Sequence, residues 1–163
     1  CWCAYASRRN AVARRSSPTL DRMEPWFSSE YLLRELASAF PAGVHTPTDE
    51  FIEANPDVLW LKPPIDLAVY VPAYISWCVR HADHGRGTLV PDHTVRALAE
   101  FGRSKDPTNA HLNFKHACNE RQRAVVAKFL RRCLDPDLIL NEEQIRRALK
   151  YWDPETREGA SAV

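Results

Sequence analysis

The chain has 163 residues, of which 45% are hydrophobic and 26% are charged, and its net charge is +1 at pH 7. This composition is typical of a globular domain and excludes a largely disordered chain. The longest apolar stretch, residues 65–79, is interrupted by Asp66 and Pro72 and is shorter than the roughly 20 residues of a membrane helix. The near-neutral charge gives the whole chain no electrostatic preference for nucleic acid.

The first 22 residues differ from the rest in composition. Five arginines against one aspartate give them a net charge of +4, so residues 23–163 carry −3. The preferred interpretation is a disordered extension, or upstream sequence ahead of a native start at Met23. An arginine-rich targeting peptide ranks second, and a nucleic-acid-binding arm ranks third. The predicted organisation is a basic extension over 1–22, a helical domain over 23–154 and a flexible tail over 155–163.

Apolar residues recur at helical spacing in six segments, which prolines, glycines and polar capping residues separate. In chain order, the predicted helices are residues 28–40, 47–55, 72–82, 91–101, 119–134 and 141–152. Phe114 is expected to open a further packed segment. The apolar run 58–61 is predicted to be a strand or a buried turn. The predicted fold class is mainly α, a single-domain bundle of five or six helices, with one short extended segment near 58–61 as an option.

Particular residues set the predicted ends of these helices. Pro72 suits the first turn of a helix, where its missing N–H is not needed, so the third helix is predicted to begin there. Gly102 is predicted to follow the fourth helix as its C′ residue. Ser28 or Ser29 is the expected N-cap of the first helix and Asn119 that of the fifth, and Asn141 with Gln144 has the form of a capping box.

The densest part of the sequence is VYVPAYISWCVRHADH, residues 69–84. Its aromatic residues, Tyr74 and Trp77, flank an apolar stripe and broaden it. A helix that is buried on most faces therefore accounts for them without a ligand. We interpret this stretch as scaffold.

The histidines of the same region carry the alternative, enzymatic hypothesis. His81 and His84 are three residues apart, and His93 follows, which is a candidate metal site for a metal-dependent hydrolase. Against it, Gly85 predicts that the helix ends at His84. A histidine near a helix C-terminus is also favoured by the helix dipole alone. No other histidine group has the spacing of a zinc motif, and no cofactor is predicted.

The cysteines outside the basic segment are Cys78, Cys118 and Cys133. Their spacing matches no metal or redox motif, so we expect buried free thiols that pack as small hydrophobic residues. Reduced thiols fit a cytoplasmic location. The sequence also lacks the GxSxG, GxGxxG and GxxxxGK[ST] motifs of nucleophilic or phosphate-binding sites.

Two groups near the C-terminus are candidate binding residues. Tyr151 and Trp152 either close the core or mark a contact surface for a partner. Arg131 and Arg132 belong to a basic outer face of the last helices, which is usually a solvated surface. Weak RNA binding through these arginines is a further alternative.

Two segments together resemble a family of small bacterial helical proteins of unknown function. They are Tyr70-Val-Pro-Ala-Tyr74 and Gln122-Arg-Ala-Val-Val-Ala-Lys-Phe-Leu130, and the resemblance covers about residues 30–134. It implies a helical single domain of bacterial origin and no catalytic residues. The size of the chain, the lack of a catalytic motif and the slightly acidic residues 23–163 lead us to expect a non-enzymatic cytoplasmic protein. It is expected to act through contact with a protein partner, in the manner of an immunity protein or antitoxin. Neither a membrane nor nucleic acid is the expected partner.

Overall fold

The structure is a computed structural model that describes residues 28–41, 46–62, 64–82, 88–135, 138 and 140–153. The predicted extension and tail, residues 1–22 and 155–163, lie outside this part. The described residues form seven α-helices, one 3₁₀ turn and no strand, which confirms the mainly α fold class. The helices are α1 (Ser29–Ala39), α2 (Asp49–Ala54), α3 (Leu67–Arg80), α4 (Val90–Arg103), α5 (Phe114–Ala117), α6 (Glu120–Arg132) and α7 (Glu142–Trp152), and the turn is Val58–Trp60.

Five of these helices form a closed ring of neighbours around one hydrophobic core. α1 packs on α3 and α6, α4 packs on α3 and α7, and α6 packs on α7. The short helix α5 places the ring of Phe114 in the middle of this core. Ring centroids lie 5.7 Å from Phe101, 5.8 Å from Trp152 and 6.0 Å from Phe40. The expectation that Phe114 opens a packed segment is therefore confirmed, and α5 adds a helix to the predicted six.

Side-chain caps fix the beginnings of the ring helices. Ser28 accepts a hydrogen bond from a first-turn N–H of α1, and Asn141 does the same for α7. Asn119 and Gln122 form a complete capping box on α6, with hydrogen bonds of 2.9 Å and 2.8 Å. These groups satisfy donors that have no partner within the helix. The predicted caps at residues 28, 119 and 141 are confirmed.

The predicted start of the third helix was wrong. α3 begins at Leu67, so Pro72 lies inside the helix, where it cannot donate a hydrogen bond to the carbonyl of Ala68. The Asp66 side chain caps the earlier start by accepting from Ala68 N at 2.9 Å. Burial of Leu67 and Val71 adds apolar contacts that favour the longer helix.

Two other local predictions also need correction. Residues 58–60 form a 3₁₀ turn, so the strand interpretation of this run was wrong. Gly102 lies within α4, which continues to Arg103, so Gly102 does not terminate the helix. Its role is steric, because a Cβ atom there would lie 2.7 Å from Tyr151 Cβ and 2.9 Å from Trp152 Nε1.

None of the described helices combines the length with the apolar character that crossing a bilayer needs. Helix α3, the most apolar of the five longer helices, has 14 residues. It packs on α1, α2, α4 and α5.

We predict that Gly102→Ala destabilises the protein although alanine is the better helix former. The added methyl group must displace α7, which costs about 1–3 kcal/mol of unfolding free energy, whereas helix propensity alone favours alanine by about 1 kcal/mol. Urea unfolding followed by circular dichroism measures the difference. Gly102→Ser should cost at least as much, and an alanine variant as stable as the wild type would contradict the close approach.

Candidate functional site

His81 lies at the C-terminal end of α3 and contributes to packing between α2 and α3. Its ring stacks on Trp77 with centroids 4.4 Å apart, and its Nδ1 is 2.9 Å from the carbonyl oxygen of Trp77. Its Nε2 is 3.7 Å from the Asp49 carboxylate. Arg80 donates two hydrogen bonds to the same carboxylate, and this pairing lowers the pKa of Asp49 below its ordinary value. These contacts attach α2 to α3.

His93 contacts a different carboxylate, that of Asp57, which follows the C-terminal end of α2. Its Nδ1 lies 3.0 Å from Oδ2 of Asp57, and Arg96 donates to the same oxygen. The second oxygen of Asp57 accepts from Leu59 N at 3.1 Å and so caps the 3₁₀ turn. Asp57 is only 8% exposed. We call Asp57, His93 and Arg96 the Asp57 junction, because together they attach the turn to α4.

The predicted histidine site is therefore divided in the structure. His81 is held beside Asp49 and His93 beside Asp57, and His84 lies outside the described residues. Within the described ranges, no group of three His, Cys, Asp or Glu side chains is arranged to hold a metal ion. The described members of the predicted site, His81 and His93, therefore pair with separate carboxylates, and the hydrolase hypothesis stays a prediction.

The two predicted aromatic binding residues, Tyr151 and Trp152, differ in their burial. Trp152 is 2% exposed, and its indole N–H donates a hydrogen bond of 2.8 Å to the carbonyl oxygen of Leu98. Tyr151 is partly buried, and the ammonium group of Lys115 lies 5.8 Å from the centre of its ring. Of the two roles left open by the sequence, Trp152 therefore closes the core between α4 and α7.

The two predicted binding arginines connect elements of the fold. Arg131 donates two hydrogen bonds, of 3.0 Å and 2.5 Å, to the nearly buried carboxylate of Asp153. Arg132 donates to Ser29 Oγ at 2.9 Å and so connects α6 to the start of α1. Their guanidinium groups have intramolecular partners, and RNA binding through them stays a prediction.

The three cysteines of the described region are buried free thiols, as predicted. Burial raises the pKa of Cys78 to about 12 and that of Cys118 to about 12. Burial also raises the pKa of Cys133 well above its ordinary value. A thiol must lose its proton to act as a nucleophile. These three groups are therefore protonated at neutral pH and serve as apolar packing.

An exposed apolar surface next to the Asp57 junction was not predicted from the sequence. Trp60 is 79% exposed at the end of the 3₁₀ turn, and Leu89 is 60% exposed at the start of α4. Leu89, His93 and Arg96 have the spacing i, i+4 and i+7, which places them on one outer stripe of α4. The opposite stripe carries Gly102 and faces α7.

A cleft of about 300 Å³ separates α2 from the start of α4 beside this junction. It is lined by Glu53, Pro56, Thr88, Leu89 and Val90. Pro56 directly precedes Asp57, so the cleft adjoins the junction that holds the turn with Trp60. We use the name Trp60 surface for Trp60, Leu89, Glu53, Pro56 and Thr88.

The chain around the Trp60 surface is acidic. Residues 46–66 contain five carboxylates and one lysine, a net charge of −4. Asp49 and Asp57 are paired with Arg80 and with the Asp57 junction. The remaining carboxylates of this segment, on Glu50, Glu53 and Asp66, belong to exposed residues. Acidic residues therefore flank the turn in sequence, and one of them, Glu53, belongs to the Trp60 surface itself.

We predict that Asp57→Asn lowers the free energy of unfolding by about 2 kcal/mol, since hydrogen bonds to charged groups contribute about 1.5–3 kcal/mol. The amide oxygen still caps Leu59 N but no longer carries the charge that pairs with His93 and Arg96. Asp66→Asn is the matched control, because Asp66 caps α3 in the same way and is exposed. Chemical denaturation of both variants measures the difference, and equal losses would refute the role of the junction.

We also predict that the three buried thiols resist modification in the folded protein. In a Cys1→Ser/Cys3→Ser background, Ellman's reagent at pH 8 should leave Cys78, Cys118 and Cys133 unmodified, because they react only through opening of the fold. All three should react in urea. Prompt reaction of any one of them under native conditions would show that it is accessible and reactive.

Comparisons with known proteins provide no relative from which a function can be transferred. No profile of a protein family, no curated protein and no solved structure matches the chain. The resemblance carried by Tyr70–Tyr74 and Gln122–Leu130 therefore stays a prediction, and so does the bacterial origin that it implies.

Proposed function

We propose that this chain is a protein-binding domain and that the Trp60 surface is its contact surface. The observation that carries the proposal is the exposure of Trp60, a large apolar side chain that is 79% accessible to solvent. Tryptophan is among the residues that contribute most to binding energy at protein interfaces. Leu89, on the stripe of α4 that holds the turn, and the cleft beside the Asp57 junction would extend the apolar contact area.

The anchoring of the turn supports the proposal. Val58 is buried and the Asp57 carboxylate is held by two side chains of α4, so the backbone that carries Trp60 has several fixed attachments. A side chain on an anchored backbone loses less conformational freedom when a partner binds. The arrangement therefore favours recognition of a partner through a preformed surface.

The proposed cellular location and the proposed immunity or antitoxin-like role are inferred from the sequence. We place the domain in the cytoplasm, which fits the free thiols at Cys78, Cys118 and Cys133. An immunity or antitoxin-like role would add a specific requirement, namely that binding blocks an activity of the partner. A partner that keeps its full activity in the complex would exclude that role and leave protein binding in place.

Site-specific cross-linking tests the proposal. A benzophenone side chain in place of Trp60 is expected to cross-link one protein in the native host, which mass spectrometry identifies. The same side chain in place of Arg34, an exposed residue of α1, is the matched control and should not capture that protein.

We predict that Trp60→Ala weakens binding of the purified, identified partner at least about tenfold, because truncated interface tryptophans often cost about 2 kcal/mol or more. Calorimetric titration measures the affinity. The variant should unfold at the same urea concentration as the wild type, since little of Trp60 is buried. An unchanged affinity of the Trp60→Ala variant would contradict the proposal. If Tyr151→Ala weakened binding and Trp60→Ala did not, the contact surface would lie at α7.

A further inference from the structure

We propose that the basic segment of this chain, residues 1–22, binds across its own Trp60 surface and competes there with the protein partner. This inference rests on the proposed function, since it concerns regulation of the same surface. Residues 1–22 have a net charge of +4, whereas residues 46–66 have a net charge of −4. The two segments have opposite charge although the whole chain is nearly neutral.

The acidic groups available to the basic segment are those that no described cationic side chain pairs with, although Glu53 accepts a hydrogen bond from Trp77 Nε1 and Asp66 accepts one from Ala68 N. Asp49 is held by Arg80, and Asp57 is held by His93 and Arg96. Glu50, Glu53 and Asp66 remain exposed in the same stretch, against the single exposed Lys62. Asp92, in the first turn of α4, adds another exposed carboxylate. A net negative balance therefore remains after the internal ion pairs are taken into account.

The basic segment also matches the apolar part of the surface. It contains Trp2 and Tyr5 besides arginines at positions 8, 9, 14, 15 and 22. An arginine guanidinium packs well on the face of an exposed indole, which Trp60 offers. The aromatic residues of the segment add contacts of the kind that Trp60 and Leu89 would make with a partner. One segment thus supplies positive charge that complements the acidic groups and aromatic side chains that can cover Trp60 and Leu89.

Covalent attachment makes weak binding sufficient. Residues 23–27 join the segment to the N-cap of α1 at Ser28, so binding to the surface is intramolecular, and a flexible linker that spans such a distance gives an effective concentration on the order of millimolar. Even a low intrinsic affinity then occupies the surface, and a protein partner has to displace the segment. The expected consequence is tighter binding of the partner when the arginines are neutralised.

A spin label on the segment tests this in the full-length chain. In a Cys1→Ser variant, a nitroxide reagent attaches to Cys3, while the buried thiols are protected. The NMR signals of Trp60 and Leu89 are expected to lose most of their intensity at low salt, whereas those of Arg123 on α6 do not. Neutralisation of residues 8, 9, 14 and 15 to glutamine, or about 0.5 M NaCl, should restore the lost signals.

Each other outcome overturns the proposal. Unaffected signals at Trp60 and Leu89, or equal broadening over the whole surface, would show that the segment does not bind there. Broadening in a mixture of spin-labelled chain and separate isotope-labelled chain would assign the surface to a second copy. The proposed function is unaffected by these results if Trp60→Ala still weakens binding of the partner. Failure of this inference is therefore distinguishable from failure of the proposed function.

Discussion

The contact between α4 and α7 at Gly102 is the constraint on which the rest of the fold depends. Without a Cβ atom at this position, Tyr151 and Trp152 approach the helix closely, and the Trp152 indole reaches the carbonyl oxygen of Leu98. Trp152 then meets the ring of Phe114, which also contacts Phe40 and Phe101. The close approach of α4 and α7 therefore determines which rings fill the central aromatic cluster. It also fixes the position of α4, against which the 3₁₀ turn packs.

The outer stripe of α4 holds the turn that carries Trp60. A nearly buried carboxylate is unfavourable unless charged or polar groups surround it, and Asp57 has His93, Arg96 and the N–H of Leu59. Displacing the turn would separate these partners and leave the charge of Asp57 uncompensated. The position of Trp60 thus follows from α4, whose own position follows from Gly102.

Local rules were sufficient for most of the helices but not for their exact limits. Serine and asparagine caps were predictable at Ser28, Asn119 and Asn141, since a cap satisfies donors within four residues of itself. Pro72 misled the prediction because the cap at Asp66 and the burial of Val71 outweigh the lost backbone hydrogen bond. Gly102 misled the prediction of where α4 ends, because its role depends on a distant contact. Its absent side chain is needed by a helix some 50 residues further along the chain, which local sequence rules do not consider.

The candidate site was harder to predict, because burial of a tryptophan depends on distant contacts. Trp60 and Trp152 both belong to short apolar stretches, and the local sequence pattern does not show which of the two is buried. Trp152 is buried because Gly102 leaves room for it, whereas the residue pairs that fix the turn beside Trp60 are 36 and 39 positions apart. Those pairs hold Asp57 and Val58 inward and leave Trp60 outside the core. An indole that is exposed while its backbone is fixed gains little from the fold itself, which is the reason that we propose a contact between Trp60 and another segment or another protein.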